Sequence, residues 1–400
     1  MAEPKDTRTP KRGLAAIGAG LSMVVILVTV LSLPLGISSE LGLAPGETTA
    51  WIIAIFGVGG AAALLVAIRY RQPLAVTGNI FLILFIGSLG TEFSWPELVG
   101  AAILAGAVVL LLGPLGVMHR LSLWLPSPIV FGLLAGAVLP FVVGVFSELS
   151  EAPLLVGITL VVYLLARRFL EPNVPAILAA LVAGLVAAAI LGEFGAVPRL
   201  DSIATPTLTA PQFSLQAIAT VMPVMVVLIT VQANIPSTVF LREQGYEPPE
   251  SVMNLVSGAG SIAGSFLGPT GLSLSLPFTA LGAGPDAGDR STRHWSIYIM
   301  AGGAITIALL AGFAPQLATF LPSSLLVAII GLAVLGLLEQ ALVEITKGPL
   351  RWGPLFAFVI ALSGVVIGGF GAFFWAIVGG LLVSLLLERD AWRTLHEQGP

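Results

Sequence analysis

Three short stretches combine polar side chains with helix-breaking residues in an otherwise apolar sequence. The first is Arg71-Gln72-Pro73-Leu74-Ala75-Val76-Thr77-Gly78-Asn79, and the second is Gly268-Pro269-Thr270-Gly271-Leu272-Ser273-Leu274-Ser275. Each opens with Pro and carries Gly and hydroxyl residues before a short apolar run. That order predicts an extended opening followed by a half-helix that starts near the bilayer midplane, where irregular backbone survives only if protein or a wet cavity surrounds it. A helix N-terminus presents unpaired N–H groups and the positive end of its dipole. Two such ends facing each other form an anion site without Arg or Lys.

The third stretch, Val231-Gln232-Ala233-Asn234-Ile235-Pro236-Ser237-Thr238, places two amides just before a helix-distorting proline. Amides in hydrocarbon need partners. A ligand and the backbone freed by Pro236 are both open to them. The candidate anion-binding residues are therefore Thr77, Gly78, Asn79, Gln232, Asn234, Thr270, Ser273 and Ser275, with Phe81 or Phe278 facing an apolar ring. Asn79 and Ser273 mark the half-helix N-termini, and Thr77 and Ser275 support them. Close helix packing is the competing use of small residues, and it is the reading for Gly258, Ser261 and Gly264. Proline at corresponding places in both halves is harder to assign to packing.

Other chemistries lack their groups. With no cysteine there is no disulfide or thiolate metal site. The histidines (His119, His294, His396) fall in loops or the tail, and Glu339 and Glu344 fall at the end of a span. No paired carboxylates, histidine-based nucleophile or phosphate loop sits at membrane depth. The expectation is a protein that is not an enzyme, holds no cofactor or metal, and binds no nucleic acid.

The elements that must position these residues follow from composition. Of 400 residues, 57% are apolar and 10% charged, too few charges to cover a water-facing surface, which carries about 25%. The reading is an all-α integral membrane protein, multi-pass in a bacterial inner membrane, with the lipid bilayer as its solvent. Apolar windows predict about 14 spans: 14–35, 49–68, 73–90, 97–118, 125–147, 152–170, 174–192, 214–238, 251–267, 269–284, 294–313, 319–338, 351–368 and 370–388. The run from Leu14 to Leu35 is too long for a secretory signal core and is the first span. Lys5, Arg8, Lys11 and Arg12 precede it. Arg69, Arg71, Arg120, Arg167, Arg168, Arg242, Arg290, Arg293, Lys347, Arg351, Arg389 and Arg393 fall after every second span, with Arg199 the exception. Glu40, Glu47, Glu92, Glu97, Glu148 and Glu151 occupy the opposite loops. Basic loops stay in the cytoplasm, so both termini are expected there.

The chain also matches itself at an offset of 196 residues without a gap. Pro73 then meets Pro269, Leu125-Pro126-Ser127 meets Leu321-Pro322-Ser323, and Ala137-Val138-Leu139 meets Ala333-Val334-Leu335. Ala180, Val182, Gly184 and Leu185 meet Ala376, Val378, Gly380 and Leu381. A repeat of seven spans is odd, so the second copy enters from the other side. This 7+7 inverted arrangement is a hallmark of alternating-access transporters.

The stretch from Val231 to Tyr246 resembles the benzoate:proton symporter family, which has a similar Gln-Asn-Leu-Pro segment followed by Leu-Arg and Gly-Tyr. The ending Gly368 to Trp375 and the Leu-Pro-Ser starts of spans five and twelve resemble it too. That family is similar in fold to nucleobase and sulfate-type anion transporters. The resemblance implies a core domain (14–118 and 214–313) and a gate domain (119–192 and 319–388), between cytoplasmic tails 1–13 and 389–400. It also implies substrate binding between spans three, eight and ten, and a homodimer formed through the gate domain. Where the family carries a Gly-Gly-His type motif, this chain has Ser273 at the histidine position and Leu276 at a later asparagine, and spans eight and ten carry no acid. The expected function is secondary transport of a small organic anion, foremost a benzoate-like carboxylate, with protons as the candidate symported ion. An inorganic-anion or nucleobase carrier is the alternative, and an anion channel a further one.

Overall fold

The computed structural model describes residues 13–90, 92–112, 126–170, 175–197 and 203–397, without the side chains of 394–397. The basic residues Lys5, Arg8, Lys11 and Arg12, together with His119, Arg120, Leu125 and Arg199, lie outside the described residues, as does the side chain of His396.

The chain is predominantly helical, as its composition requires. In order, the first half contains α1 (Leu14–Glu40), α2 (Pro45–Tyr70), β1 (Val76–Gly78), α3 (Ile80–Ser88), α4 (Trp95–Leu112), α5 (Ser127–Glu151), α6 (Pro153–Phe169) and α7 (Ala176–Leu191). The second half contains α8 (Leu215–Glu243), α9 (Glu250–Ser265), β2 (Leu272–Leu274), α10 (Leu276–Ala283), α11 (His294–Leu309), α12 (Ser323–Lys347), α13 (Trp352–Leu362), α14 (Ala372–Leu387) and α15 (Arg389–Glu397). Six of these (α1, α2, α4, α5, α8 and α12) are long and apolar enough to cross a membrane. The pair of α11 and Ala311–Phe320, bent by 46°, makes a seventh if it is one span. Both 25-residue helices, α5 and α12, start directly after a proline whose fixed φ suits a helix start.

Element bounds repeat at the sequence offset. Adding 196 to β1, α5 and α7 gives the bounds of β2, α12 and α14, and the start of α3 becomes the start of α10. The repetition thus extends from residue types to where the backbone changes conformation.

Packing falls into two groups. α1, α2, α4, α8, α9 and α11 pack on one another, while α5 packs on α12 and α13, α13 on α14, and α6 on α7. A separate apolar cluster of Val145, Leu155, Tyr163, Ala180, Leu325 and Ile329 fills the space between α5, α6, α7 and α12. Two helices of the first group contain a π-helical turn, Ile53–Val58 in α2 and Leu228–Asn234 in α8. Such turns are frequent at functional sites. Here they lie against β1 and β2, respectively.

Candidate functional site

The two strands form one antiparallel pair, with Val76 opposite Leu274, Thr77 opposite Ser273 and Gly78 opposite Leu272. Backbone bonds extend the ladder one step each way, Asn79 N–H to Gly271 O at 2.9 Å and Ser275 N–H to Ala75 O at 2.9 Å. Side chains alternate across a strand, so Thr77, Asn79, Ser273 and Ser275 share one face. Each half of the chain thereby completes the other's short strand. Backbone polar groups are satisfied in the middle of an apolar protein.

Helices α3 and α10 leave opposite ends of this ladder. Asn79 caps α3, its Oδ1 accepting from Leu82 N–H at 3.1 Å. Its Nδ2 donates to Leu228 O at 3.0 Å and to Ser273 Oγ at 3.2 Å. This amide ties the helix start, the π-helical turn of α8 and the opposite strand together, and its hydrogen-bonding capacity is used. The Ser273 hydroxyl accepts from Asn79, which leaves its own proton free to donate. Ser275, not Ser273 as expected, stands at the N-cap of α10, with no side-chain cap bond, because Ser273 is held in β2 by its pairing with Thr77 and extended backbone continues to 275. Among the described residues the first-turn N–H groups of Ile80, Phe81, Leu276 and Phe278 have no acceptor, and Pro277 has no N–H to offer. Four residues of ladder separate the two helix starts by about 13 Å, which puts the Thr77–Ser273 midpoint about 6–7 Å from each.

A cavity of about 90 Å3 runs along this face, with Thr77, Gly78, Asn79, Gln232, Ser273 and Ser275 in its wall. No charged side chain is among its described lining residues. Phe81 supplies an aromatic surface there, whereas Phe278 lines a different, much smaller space beside Ile55 and Phe56. Gln232 is half-buried, and its amide makes no hydrogen bond among the described residues. Neutral dipoles are thus the whole electrostatic character of the cavity: two helix N-termini, hydroxyls and amides. That character favours an anion.

Two of the eight expected residues stand elsewhere. Asn234, 3% exposed, accepts from Leu274 N–H at 2.8 Å and donates to Asn254 Oδ1 at 2.9 Å and Ser257 Oγ at 3.1 Å. It binds the free edge of β2 to α9, the backbone-satisfying use of an amide. Thr270 is buried against Gly264 of α9, with its carbonyl accepting from Ser265 Oγ at 3.2 Å. Gly78 touches the cavity, yet its lack of a side chain answers a packing need. A Cβ there would lie 2.7 Å from Ile55 Cγ2 in the π-helical turn of α2. Ser261, grouped with the packing seam, has a further use in accepting Leu272 N–H at 2.9 Å.

Gln340 of α12 also lines the cavity, and sequence reasoning missed it. Its one signal is an uncharged amide between Leu337 and Val343 in an apolar helix, masked by the neighbouring Glu339. On the other side, Trp51 of α2 is fully buried, donates to Pro269 O at 2.9 Å and stacks edge-on with Trp95 at 5.2 Å, which fixes the approach to β2.

The family model described as Benzoate membrane transport protein matches residues 11–386. The benzoate membrane transport protein of Acinetobacter baylyi is 27% identical over 347 residues, covering 85% of this chain and 86% of its own. Inner membrane protein YdcO of Escherichia coli K12 is 26% identical over 363 residues, covering 87% and 91%. Among solved structures, the transmembrane domain of the cyanobacterial bicarbonate transporter BicA superposes with a TM-score of 0.58 at 17% identity, covering 93% of this chain and 96% of that one. The murine anion transporter Slc26a9, in its inward-facing state, gives 0.64 at 14% identity, covering 97% and 69%. The fold is the one these anion transporters share.

Proposed function

The chain belongs to the benzoate membrane transport family, a family of transporters and not enzymes, and from that premise we propose that it carries a benzoate-like carboxylate between the half-helices α3 and α10. The observation that carries this reading is the shared ladder face, where Thr77, Ser273 and Ser275 present free hydroxyl donors between two helix N-termini, with no competing charge. The carboxylate accepts from Ser273 and Thr77, and the positive ends of α3 and α10 act on it from about 6–7 Å on either side. Gln232 and Gln340 complete the shell, and Phe81 meets the ring. Asn79 and Asn234 hold the scaffold on which these donors sit.

The proposal extends to architecture. Counting α3 and α10 as half-spans, α1 to α14 make 14 membrane segments in two inverted sets of seven, with both termini in the inner-membrane cytoplasm and Glu40 and Glu92 outside. The first packing group, with α3 and α10, acts as the core domain. The second acts as the gate, through which a homodimer forms. Proton symport belongs to the same reading and proceeds without an acid in the cavity.

A second reading, a smaller inorganic anion such as bicarbonate, draws on the cavity itself. At about 90 Å3 it is well below the roughly 300 Å3 of ordinary small-molecule pockets. The melting temperature of the detergent-purified protein, measured with millimolar benzoate, bicarbonate, sulfate or uracil, separates these readings. A ligand at about 100 times its Kd stabilises by about 2.7 kcal/mol. A rise with benzoate alone is expected. A rise with bicarbonate or sulfate and none with benzoate rejects the carboxylate reading.

A further inference from the structure

Two separate cavities lie along the same pair of helices. The ladder cavity touches α3 at Ile80 and Phe81 and α12 at Leu337 and Gln340. A cleft of about 540 Å3 touches α3 at Gly87 and Ser88 and α12 at Val327 and Ile330. Helix α3 thus runs from the first cavity to the second, and α12 from the second to the first. On each helix two turns, about 10 Å, separate them. Glu40 and Glu92 stand in the cleft wall and are exposed, so the cleft opens to water at the end that the transport reading assigns to the outside. Gln340 is exposed as well and lies toward the other end of α12, so the ladder cavity opens away from the cleft.

Phe85 fills the gap between them. It follows Phe81 by one turn of α3, precedes Gly87, and meets the ring of Phe373 of α14 edge-on at 5.5 Å. Phe373 is itself part of the cleft wall. An edge-on ring pair is a specific apolar contact of modest strength, able to exclude water and still to part.

The repeat gives this contact a counterpart. Adding 196 to Phe85 leads to Leu281 of α10, and subtracting it from Phe373 leads to Ile177 of α7. Phe85 is 0% exposed and Phe373 6%, whereas Leu281 is 38% exposed. Likewise α3 packs on α5, while their counterparts α10 and α12 scarcely touch. Equivalent elements are therefore closed on the cleft side of the ladder and open on the other. Two inverted repeats that rock about a fixed site exchange such arrangements when the path changes sides.

We propose that Phe85 and Phe373 form the outer closure of the substrate path, and that Leu281 and Ile177 form the matching inner closure, open in this structure. The proposal rests on the transport reading above and names the side chains that part and meet. The cleft is then the outer vestibule, and the path to the ladder is sealed by two turns of α3 and α12 with the ring pair across them.

The absence of cysteine makes the test direct. Ser88→Cys places a thiol in the cleft, and Gln340→Cys places one in the ladder cavity. A membrane-impermeant thiol reagent is applied to intact cells for the outer side and to inverted vesicles for the inner side. The expected result is that Ser88→Cys is labelled from outside, and Gln340→Cys from inside only. Adding Phe85→Ala or Phe373→Ala should raise outside labelling of Gln340→Cys by about tenfold, as the outer-closed population falls. Leu281→Phe with Ile177→Phe, which copies the outer pair, should lower its inside labelling by a similar factor. Phe85→Leu and Phe373→Leu, which keep apolar bulk without the ring contact, repeat the measurement where an alanine variant loses its melting transition. Outside labelling of Gln340→Cys as fast as that of Ser88→Cys, with both phenylalanines in place, overturns the proposal. So does its unchanged protection in the alanine and leucine variants, or a Ser88→Cys thiol reached only from inside. An effect of the outer substitutions without one of the inner pair overturns the inner half. Slowing of Gln340→Cys labelling by benzoate reports the carboxylate reading separately. Slowing without any effect of the phenylalanine substitutions overturns the closure and leaves that reading standing. The expected sidedness without slowing supports the closure and rejects benzoate as the ligand.

Discussion

Thr77 and Ser273 face each other across the β1–β2 ladder, and they are also the residues that the 196-residue offset makes equivalent. In an antiparallel pair with this register, one position alone can satisfy both conditions, and these two hydroxyls occupy it. The local symmetry point of the two halves therefore passes through the proposed substrate position, which places both helix N-termini at equal distance from it.

Replacing Ser273 by Ala removes a donor to the ligand and an acceptor for Asn79. Benzoate binding should weaken by about 10- to 100-fold, the loss of one hydrogen bond to a charged group, about 1.5–3 kcal/mol. Isothermal titration on the purified variant measures this. An unchanged Kd would remove Ser273 from the site.

Gln232→Ala and Asn234→Ala should part company, although the residues are two apart. Gln232 has no hydrogen-bond partner among the described residues, so its loss leaves the ligand-free stability within about 0.5 kcal/mol of wild type and weakens binding. Losing Asn234 strands Leu274 N–H in the interior, at about 1–3 kcal/mol. Denaturation in detergent with and without benzoate distinguishes the two patterns.

Gln340→Leu tests whether the second packing group reaches the substrate. Its side chain is exposed, so stability should change by less than about 0.5 kcal/mol. Selectivity among benzoate, bicarbonate and sulfate in the thermal-shift series should alter. Identical ligand responses would confine the site to the first group.

Glu388 accepts from the backbone N–H of Arg351, of Trp352 at 2.8 Å and of Gly353 at 3.0 Å, capping α13. Glu388→Ala should destabilise the protein by about 0.5–2 kcal/mol, the usual cost of losing a helix cap, and leave ligand affinity unchanged. Chemical denaturation and titration of the same variant check both halves of that statement.

Thermal stability should also carry a pH signature from Glu92. Its folded-state value is raised above the ordinary 4.5 by burial, so the native state binds more protons than the unfolded one in that window. Stability is then highest below the ordinary value and declines as pH rises through the raised one. Glu92→Gln should flatten this part of the melting profile, and an unaltered slope would assign it to other groups.

By itself the sequence determined the solvent of this protein and the places where its helices break. Charge scarcity and run length decide for a bilayer, because unpaired charges and exposed backbone are prohibitive there. Pro73 and Pro269, followed by Gly and hydroxyl residues, mark the two short strands because their effects on φ and N–H are local. Leu-Pro-Ser at both helix starts carries the repeat. What only the tertiary structure decided is which polar groups are spent on the protein and which remain for a ligand. Asn234 and Gln232 are both amides in one short stretch, yet Leu274, 40 residues on, consumes the first and none of the described residues consumes the second. Asn79 is likewise committed to Leu228, 149 residues away. Gln340 enters the cavity from α12, two residues past the end of the span predicted at 319–338. A hydrogen bond's partner is a long-range property, fixed by how α3, α8, α9 and α12 pack, and no window of sequence contains it.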